Sequence, residues 1–265
     1  MITLDISGTG YELFAQDGES HAQEDPAVVE AVVSGVQEMG SHRVLEIGAE
    51  AFDRLDALAR MGLETLVADP DQQRLARLRQ GRRFGAVCAS ALALPFRRAS
   101  LDCAVLLDVS GDADDLDVIF RELRRVVRLG VVIDAVTRDN FESLWYRHYF
   151  PEIDSVLRMS YPALGTVVTA TLRAGFVRSR ARAVVRSSER WPAFEAARNR
   201  PELLFDERFR AAVPVFAAMG AAAMRAGLAA LRCDLDSGRF NEVRAGFESR
   251  RAATGDCFVV TAYAD

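Results

Sequence analysis

Apolar residues along the first half of the chain come in short unbroken runs, and between the runs they recur every third or fourth position. The runs read as strands and the three-to-four spacing as helices. Val28, Val29, Val32, Val33, Val36 and Met39 follow Pro26 at helical spacing, and Gly40 stops them. Strands are predicted over 43–47, 65–68, 84–88, 101–107 and 129–136, with helices over 53–61, 70–81 and 112–128 between them. In the last helix Leu116, Ile119, Phe120, Leu123 and Val127 form one stripe. Asp112, Asp114, Asp115 and Asp117 crowd its start and Arg124, Arg125 and Arg128 its end, the polarity that a helix macrodipole favours. The acidic run is read as a solvated helix start, not a metal site. The 101–107 run is apolar almost throughout, as a strand buried on both faces requires. Strands alternating with helices through short connections predict a parallel sheet with helices on both sides.

After residue 136 the pattern changes. Residues 141–150 are rich in aromatics, a helix is expected over 164–172 with Gly175 behind it, and a strand over 176–185. Residues 191–250 read as helical and rich in arginine and alanine, with an apolar face of Val213, Phe216, Met219, Met224, Leu228 and Leu231. The apolar run 257–263 is expected to pair with the 176–185 strand. The expected organisation is an arm or lid over 1–24, a doubly wound Rossmann-like α/β core over 25–190, a helical cap or insertion over 191–250, and a terminal strand in 251–265 returning to the core sheet.

Composition narrows the chemistry. The chain has 265 residues, half of them hydrophobic, and carries 33 basic against 38 acidic side chains. A net charge of −5 speaks against a general nucleic-acid binder. Every basic residue apart from histidine is arginine; the absence of lysine excludes a Walker phosphate loop and a lysine Schiff base. Cys88, Cys103, Cys233 and Cys257 are widely spaced, three of them in apolar runs, so buried reduced thiols are expected. With His21, His42 and His148 scattered as well, no metal site is expected. The first residues lack the regions of a signal peptide and no apolar run approaches ~20 residues, which makes a cytoplasmic protein the expectation.

The strand 43–47 runs into Gly48 and then into a helix, the place where doubly wound folds bind nucleotide-like ligands. Its Val44-Leu45-Glu46-Ile47-Gly48 resembles the first motif of class I S-adenosylmethionine (SAM) dependent methyltransferases, of the small-molecule, methyltransferase type 11-like branch. Leu92-Ala93-Leu94-Pro95-Phe96 followed by Ser100-Leu101-Asp102, the Glu122–Arg128 helix end, and Leu172-Arg173-Ala174-Gly175-Phe176 are similar to further stretches of that family, in the family's order. The resemblance runs over about 25–185 plus the last strand, and implies the seven-stranded methyltransferase sheet with SAM as cofactor.

Carried over position by position, it implies that Glu46 orders the loop and meets the methionine amino group, that Gly48 is the first loop glycine, and that Asp69 takes the ribose hydroxyls. Asp69 equally suits a cap for the helix begun at Pro70. Glu50 and Phe52 stand where the family has its second and third glycines, and a carboxylate at Glu50 would crowd and repel the ligand's own. Ser90 replaces the adenine-contacting acid, beside Ala91. Asp108, ending the fourth strand, is a further pocket candidate. His148 is the candidate base, with Trp145, Tyr146 and Tyr149 beside it, and Tyr11 from the arm, as an acceptor pocket; an anchor for the C-terminal helices is the other reading of the aromatics. Two functions follow. One is a SAM-dependent methyltransferase acting on a small molecule, without nucleic-acid or membrane partners. The other is a methyltransferase-like protein that has lost SAM binding or methyl transfer, a non-catalytic partner or repurposed binder. Both leave open a homodimer, or a heterodimer with an active relative.

Overall fold

The computed structural model describes residues 24–49, 52–78, 84–106, 113–187 and 197–265. Helix α1 (Pro26–Glu38) starts at an Asp25 cap whose side chain accepts from the Ala27 N–H, with Pro26 in the first turn. Alternation then gives β1 (Arg43–Ile47), α2 (Phe52–Arg60), β2 (Glu64–Asp69), α3 (Gln72–Leu78), β3 (Gly85–Cys88), β4 (Leu101–Leu106), α4 (Ala113–Val126) and β5 (Val127–Ala135). A 3-10 turn (Arg138–Ser143), α5 (Tyr146–Tyr149), α6 (Ile153–Ser160) and α7 (Leu164–Arg173) lead to β6 (Arg178–Val184). A second 3-10 turn (Pro201–Phe205), α8 (Glu207–Ala212), α9 (Pro214–Ala217), α10 (Ala221–Ser237), α11 (Phe240–Glu248) and α12 (Arg251–Thr254) precede the last strand, β7 (Cys257–Tyr263).

The seven strands form one sheet in the order β3-β2-β1-β4-β5-β7-β6. Strands β1 to β5 pair in parallel, and β7 is antiparallel to both β5 and β6. The expected partnership of the last two strands is present, with β7 wedged between β5 and β6. Side chains alternate across the sheet. Leu45 and Ile47 of β1 join one core with Phe120 and Leu123 of α4 and Val167 of α7. Val44 joins the opposite core with Val32 and Val36 of α1 and Leu58 of α2.

Two polar clamps fix the sheet. Asp102 accepts from the backbone N–H groups of His42 and Arg43 and pairs with Arg128 at 2.8 Å, tying the starts of β1 and β4 together. Burial works to raise the Asp102 pKa, but the Arg128 and backbone donors prevail and hold it below the usual range. Glu122 accepts from Leu94 N–H, and its partner Arg125 donates to the carbonyls of Leu94 and Phe96. The Glu-x-x-Arg and Leu-Pro-Phe stretches are therefore two halves of one clamp.

The third layer is helical. Trp145, Tyr146, Tyr149 and Phe150 form a separate core with Phe216, Leu231 and Phe240 from the later helices. Because Ala135 lies opposite Phe258 and Val184 opposite Cys257, this layer leaves and rejoins the sheet at the edge where the parallel strands end. The sequence-based boundaries miss in several places: α4 passes into β5 at Val126–Val127 without a turn, two residues earlier than expected, α3 and β6 each start two residues later than expected, and α6 was not foreseen. Two of the expected buried cysteines, Cys103 and Cys257, are buried, whereas Cys88 and Cys233 are exposed, and all four are free thiols. Cys88 ends β3, an edge strand with little covering it.

Candidate active site

The carboxyl ends of β1 and β2 carry a compact set of functional groups. Gly48 turns the chain off β1 with φ of 101°, a left-handed conformation that favours glycine. Its N–H donates to the Ala68 carbonyl at 2.9 Å, and the next N–H, of Ala49, donates to Asp69 Oδ2 at 2.8 Å. Asp69 Oδ1 accepts from Asp71 N–H, and Asp71 in turn caps α3 through Gln73 N–H at 2.7 Å. Asp69 thus holds the loop after β1 to the end of β2, and its side chain is buried. A carboxylate oxygen accepts more than one hydrogen bond, so these contacts do not exhaust its capacity.

Glu46 sits one residue inside the turn, fully buried, on the sheet face that meets α1 and α2. Its Oε1 lies 3.2 Å from Nη2 of Arg54, which is also fully buried. The same Nη2 lies 3.2 Å from Glu24 Oε1, and Nη1 lies 3.8 Å from Asp134 Oδ2 on β5. Neither Glu46 oxygen makes a hydrogen bond among the described residues. One guanidinium therefore serves three carboxylates. Burial, with Glu24 and Asp134 nearby, outweighs the Arg54 attraction and pushes the Glu46 pKa up to about 8. Burial raises Glu24 as well, against the pull of Arg54. The short distance to Arg54 and the raised Glu46 pKa point in opposite directions. The charge count decides: a single cation cannot keep three partly desolvated carboxylates ionised, and the most deeply buried one keeps its proton.

Of the residues expected from sequence, Glu46, Gly48 and Asp69 are brought together here. Ser90 and Ala91 follow the end of β3, the strand beyond β2, with Ser90 exposed and accepting from Leu92 N–H at 3.2 Å. His148 is exposed on α5, its ring edge-on to Tyr149 at 4.8 Å. Trp145 and Tyr146 leave no ring face open in this arrangement. Both are fully buried, and Trp145 donates from Nε1 to the Arg198 carbonyl at 3.0 Å. Tyr149 OH donates to Asp234 at 3.0 Å. These rings anchor the helical layer, which their large apolar area suits. Tyr11, Glu50 and Asp108 lie outside the described residues. Arg54, Glu24 and Asp134 were missed by the sequence reading. Two signals were available: Arg54 lies four residues before Leu58, on the buried stripe of α2, and Asp134 interrupts an apolar strand.

Residues 45–133, from β1 to β5, match the family model described as a methyltransferase domain. The stretch from β1 to β5 is similar to that domain. Among solved structures, it is similar to a protein from Anabaena variabilis described as a methyltransferase of an antibiotic biosynthesis pathway. The likeness covers 92% of this chain and 99% of that one, at 20% identity and a TM-score of 0.59. It is also similar to a SAM-dependent methyltransferase from Archaeoglobus fulgidus over 96% and 99% of the two chains, at 15% identity and a TM-score of 0.51. No curated protein matches the chain by sequence. The matched stretch holds Glu46, Gly48, Arg54 and Asp69 on and between its first two strands, while the aromatic layer lies beyond it. Among the described residues no group of three or more histidine, cysteine or acidic side chains is placed to hold a metal ion. None of their helices is long and apolar enough to cross a membrane.

Proposed function

We propose that this protein is a SAM-dependent methyltransferase acting on a small molecule. The observation that carries the reading is the end of β1: a left-handed Gly48, a loop N–H pinned by Asp69, and a buried Glu46 whose two oxygens make no hydrogen bond among the described residues. A buried carboxyl beside a glycine turn, met by Arg54 at 3.2 Å, suits the methionyl end of SAM, whose ammonium is a further partner for Glu46. Asp69 is the residue for the ribose, and Ser90 with Ala91 for the adenine side.

SAM supplies the methyl group already activated on its sulfonium. The protein's share of the work is then to bind, to orient the acceptor in line and to exclude water. The helical layer supports a small acceptor because it rises from the same sheet edge as the Gly48 turn, where it can cover a ligand bound there. The net negative charge and the lack of lysine support the same choice over a nucleic acid, and the free thiols fit the cytoplasm.

Calorimetric titration of the purified protein with SAM and S-adenosylhomocysteine tests the reading. Binding of both is expected at one site per chain, followed by methyl transfer to an acceptor found by screening small hydroxylated and amine compounds. If the folded protein binds neither, the reading is wrong.

A further inference from the structure

We propose that Glu24 is an internal plug, its carboxylate occupying the anion site that receives the carboxylate of the ligand's amino-acid end. The inference rests on the SAM-binding reading and names how the methionyl end enters that site.

Glu24 lies just before α1, yet its side chain reaches across to the start of α2. Oε2 accepts from the Arg54 backbone N–H at 2.9 Å, and Oε1 meets Arg54 Nη2 at 3.2 Å. Its own N–H donates to Asp53 Oδ2 at 2.8 Å. A carboxylate on a first-turn N–H, backed by a guanidinium, is how a helix start holds an external anion. Here the chain supplies the anion itself. A second feature points to a ligand: Glu46, from β1, is fully buried 3.2 Å from the same guanidinium, with neither oxygen hydrogen-bonded among the described residues.

The charge balance favours exchange for an amino-acid zwitterion. When Glu24 leaves and a ligand carboxylate takes its place on Arg54, the number of anions around the guanidinium is unchanged. The ligand also brings an ammonium, which Glu46 and Asp134 can receive. A plain carboxylate would bring no such gain, and a plain amine would leave Glu24 in place. Asp25, the next residue, is fixed by Ala27 N–H and by Ser187 N–H and Oγ, so α1 keeps its cap while Glu24 turns away.

The test compares wild type, Glu24→Ala and Glu24→Gln by calorimetry with S-adenosylhomocysteine and with 5′-methylthioadenosine, which lacks the amino-acid end. Thermal melting confirms that each form is folded. Removing the competitor is expected to tighten S-adenosylhomocysteine on the order of tenfold or more in Glu24→Ala, with a smaller gain in Glu24→Gln, and to leave methylthioadenosine unchanged. Equal gains for both ligands overturn the plug, because Glu24 would then act on the loop in general. So does unchanged affinity for S-adenosylhomocysteine. Failure of every form to bind either ligand overturns the SAM reading and the plug together, whereas ordinary binding by wild type without a gain in the variants overturns the plug alone.

Discussion

Glu46 titrates at different pH in the folded and unfolded chain, and the sign of the difference determines how stability follows pH. Unfolded, it loses its proton near the ordinary value of 4.5; folded, burial pushes that to about 8. Below about pH 4.5 both forms hold the proton and the contribution is fully present. Between there and about pH 8 the unfolded chain releases a proton that the folded chain keeps, so stability falls as pH rises. Glu24, raised by burial, acts in the same direction. Arg54, Asp134 and the buried Cys103 thiol also face Glu46 and set the size of the effect. The expected outcome is a melting temperature that declines from about pH 5 to about pH 8 in wild type, and a Glu46→Gln variant that loses most of this slope. An unchanged slope in the variant would place the titration elsewhere. The identity of Glu46 was plain in the sequence, because an acid closing an apolar strand before glycine is conspicuous. Its neutral state was not, because it depends on Glu24 and Asp134, which are distant in the chain and meet it only through Arg54.

Strands were legible in the sequence because burial on both faces writes them as continuous apolar runs: β1 and β7 fall at their expected residues. The α4–β5 junction was not, because Val126 and Val127 suit both elements and no glycine or proline separates them. The apolar face expected from Val213 to Leu231 is real as a set of core contacts but is divided among Val213 before α9, α9 itself, Met219 in the turn after it, and α10, with Pro214 opening α9 and Gly220 preceding α10. Aromatic residues on α5 read from sequence either as a pocket or as an anchor, since both need the same residue types; only the position of α10 separates the two. Gly227 on α10 is the point of closest approach. A Cβ there would fall within the Phe150 ring's contact distance and 2.5 Å from the Tyr149 carbonyl oxygen. A Cβ on Gly246 of α11 would meet nothing within 4 Å among the described residues. Gly227→Ala is expected to destabilise by about 1–3 kcal/mol despite its better helix propensity, and Gly246→Ala to stabilise by about 0.5–1 kcal/mol. Urea unfolding of the two variants checks the pair, and equal shifts of the same sign would show that α10 does not press on α5 as described.

At the scale of the whole molecule, the sheet and the helical layer are separate cores joined by one polar knot. Arg198, in a helical turn at 197–199, is buried; it pairs with Glu248 of α11 at 2.6 Å and with Asp256, just before β7, at 3.2 Å. Its Nη2 donates to Ser143 Oγ at 3.0 Å, and its carbonyl accepts from Trp145. Asp256 also holds Arg251 at 2.8 Å and accepts from Arg186 N–H after β6. The knot thus joins both points where the helical layer meets the sheet. Arg198→Met keeps much of the apolar stem but removes the charge, leaving Glu248 and Ser143 without their partner, while Arg251 still neutralises Asp256. A loss of about 3 kcal/mol is expected, at the lower end for breaking a buried pair because Asp256 is not orphaned. The loss should be uneven. Leu231 and Phe240 belong to the layer's own core and the β1–β4–β5 ladder to the sheet, so loosening the knot should raise amide exchange in α10 and α11 before it reaches β1 and β4. If exchange rises equally in both, the two cores unfold as one unit and the helical layer is no separable cover for the Gly48 edge. If it rises in the layer alone, the cover can open while the sheet holds Glu46, Gly48 and Asp69 in place, which is what ligand entry at that edge requires.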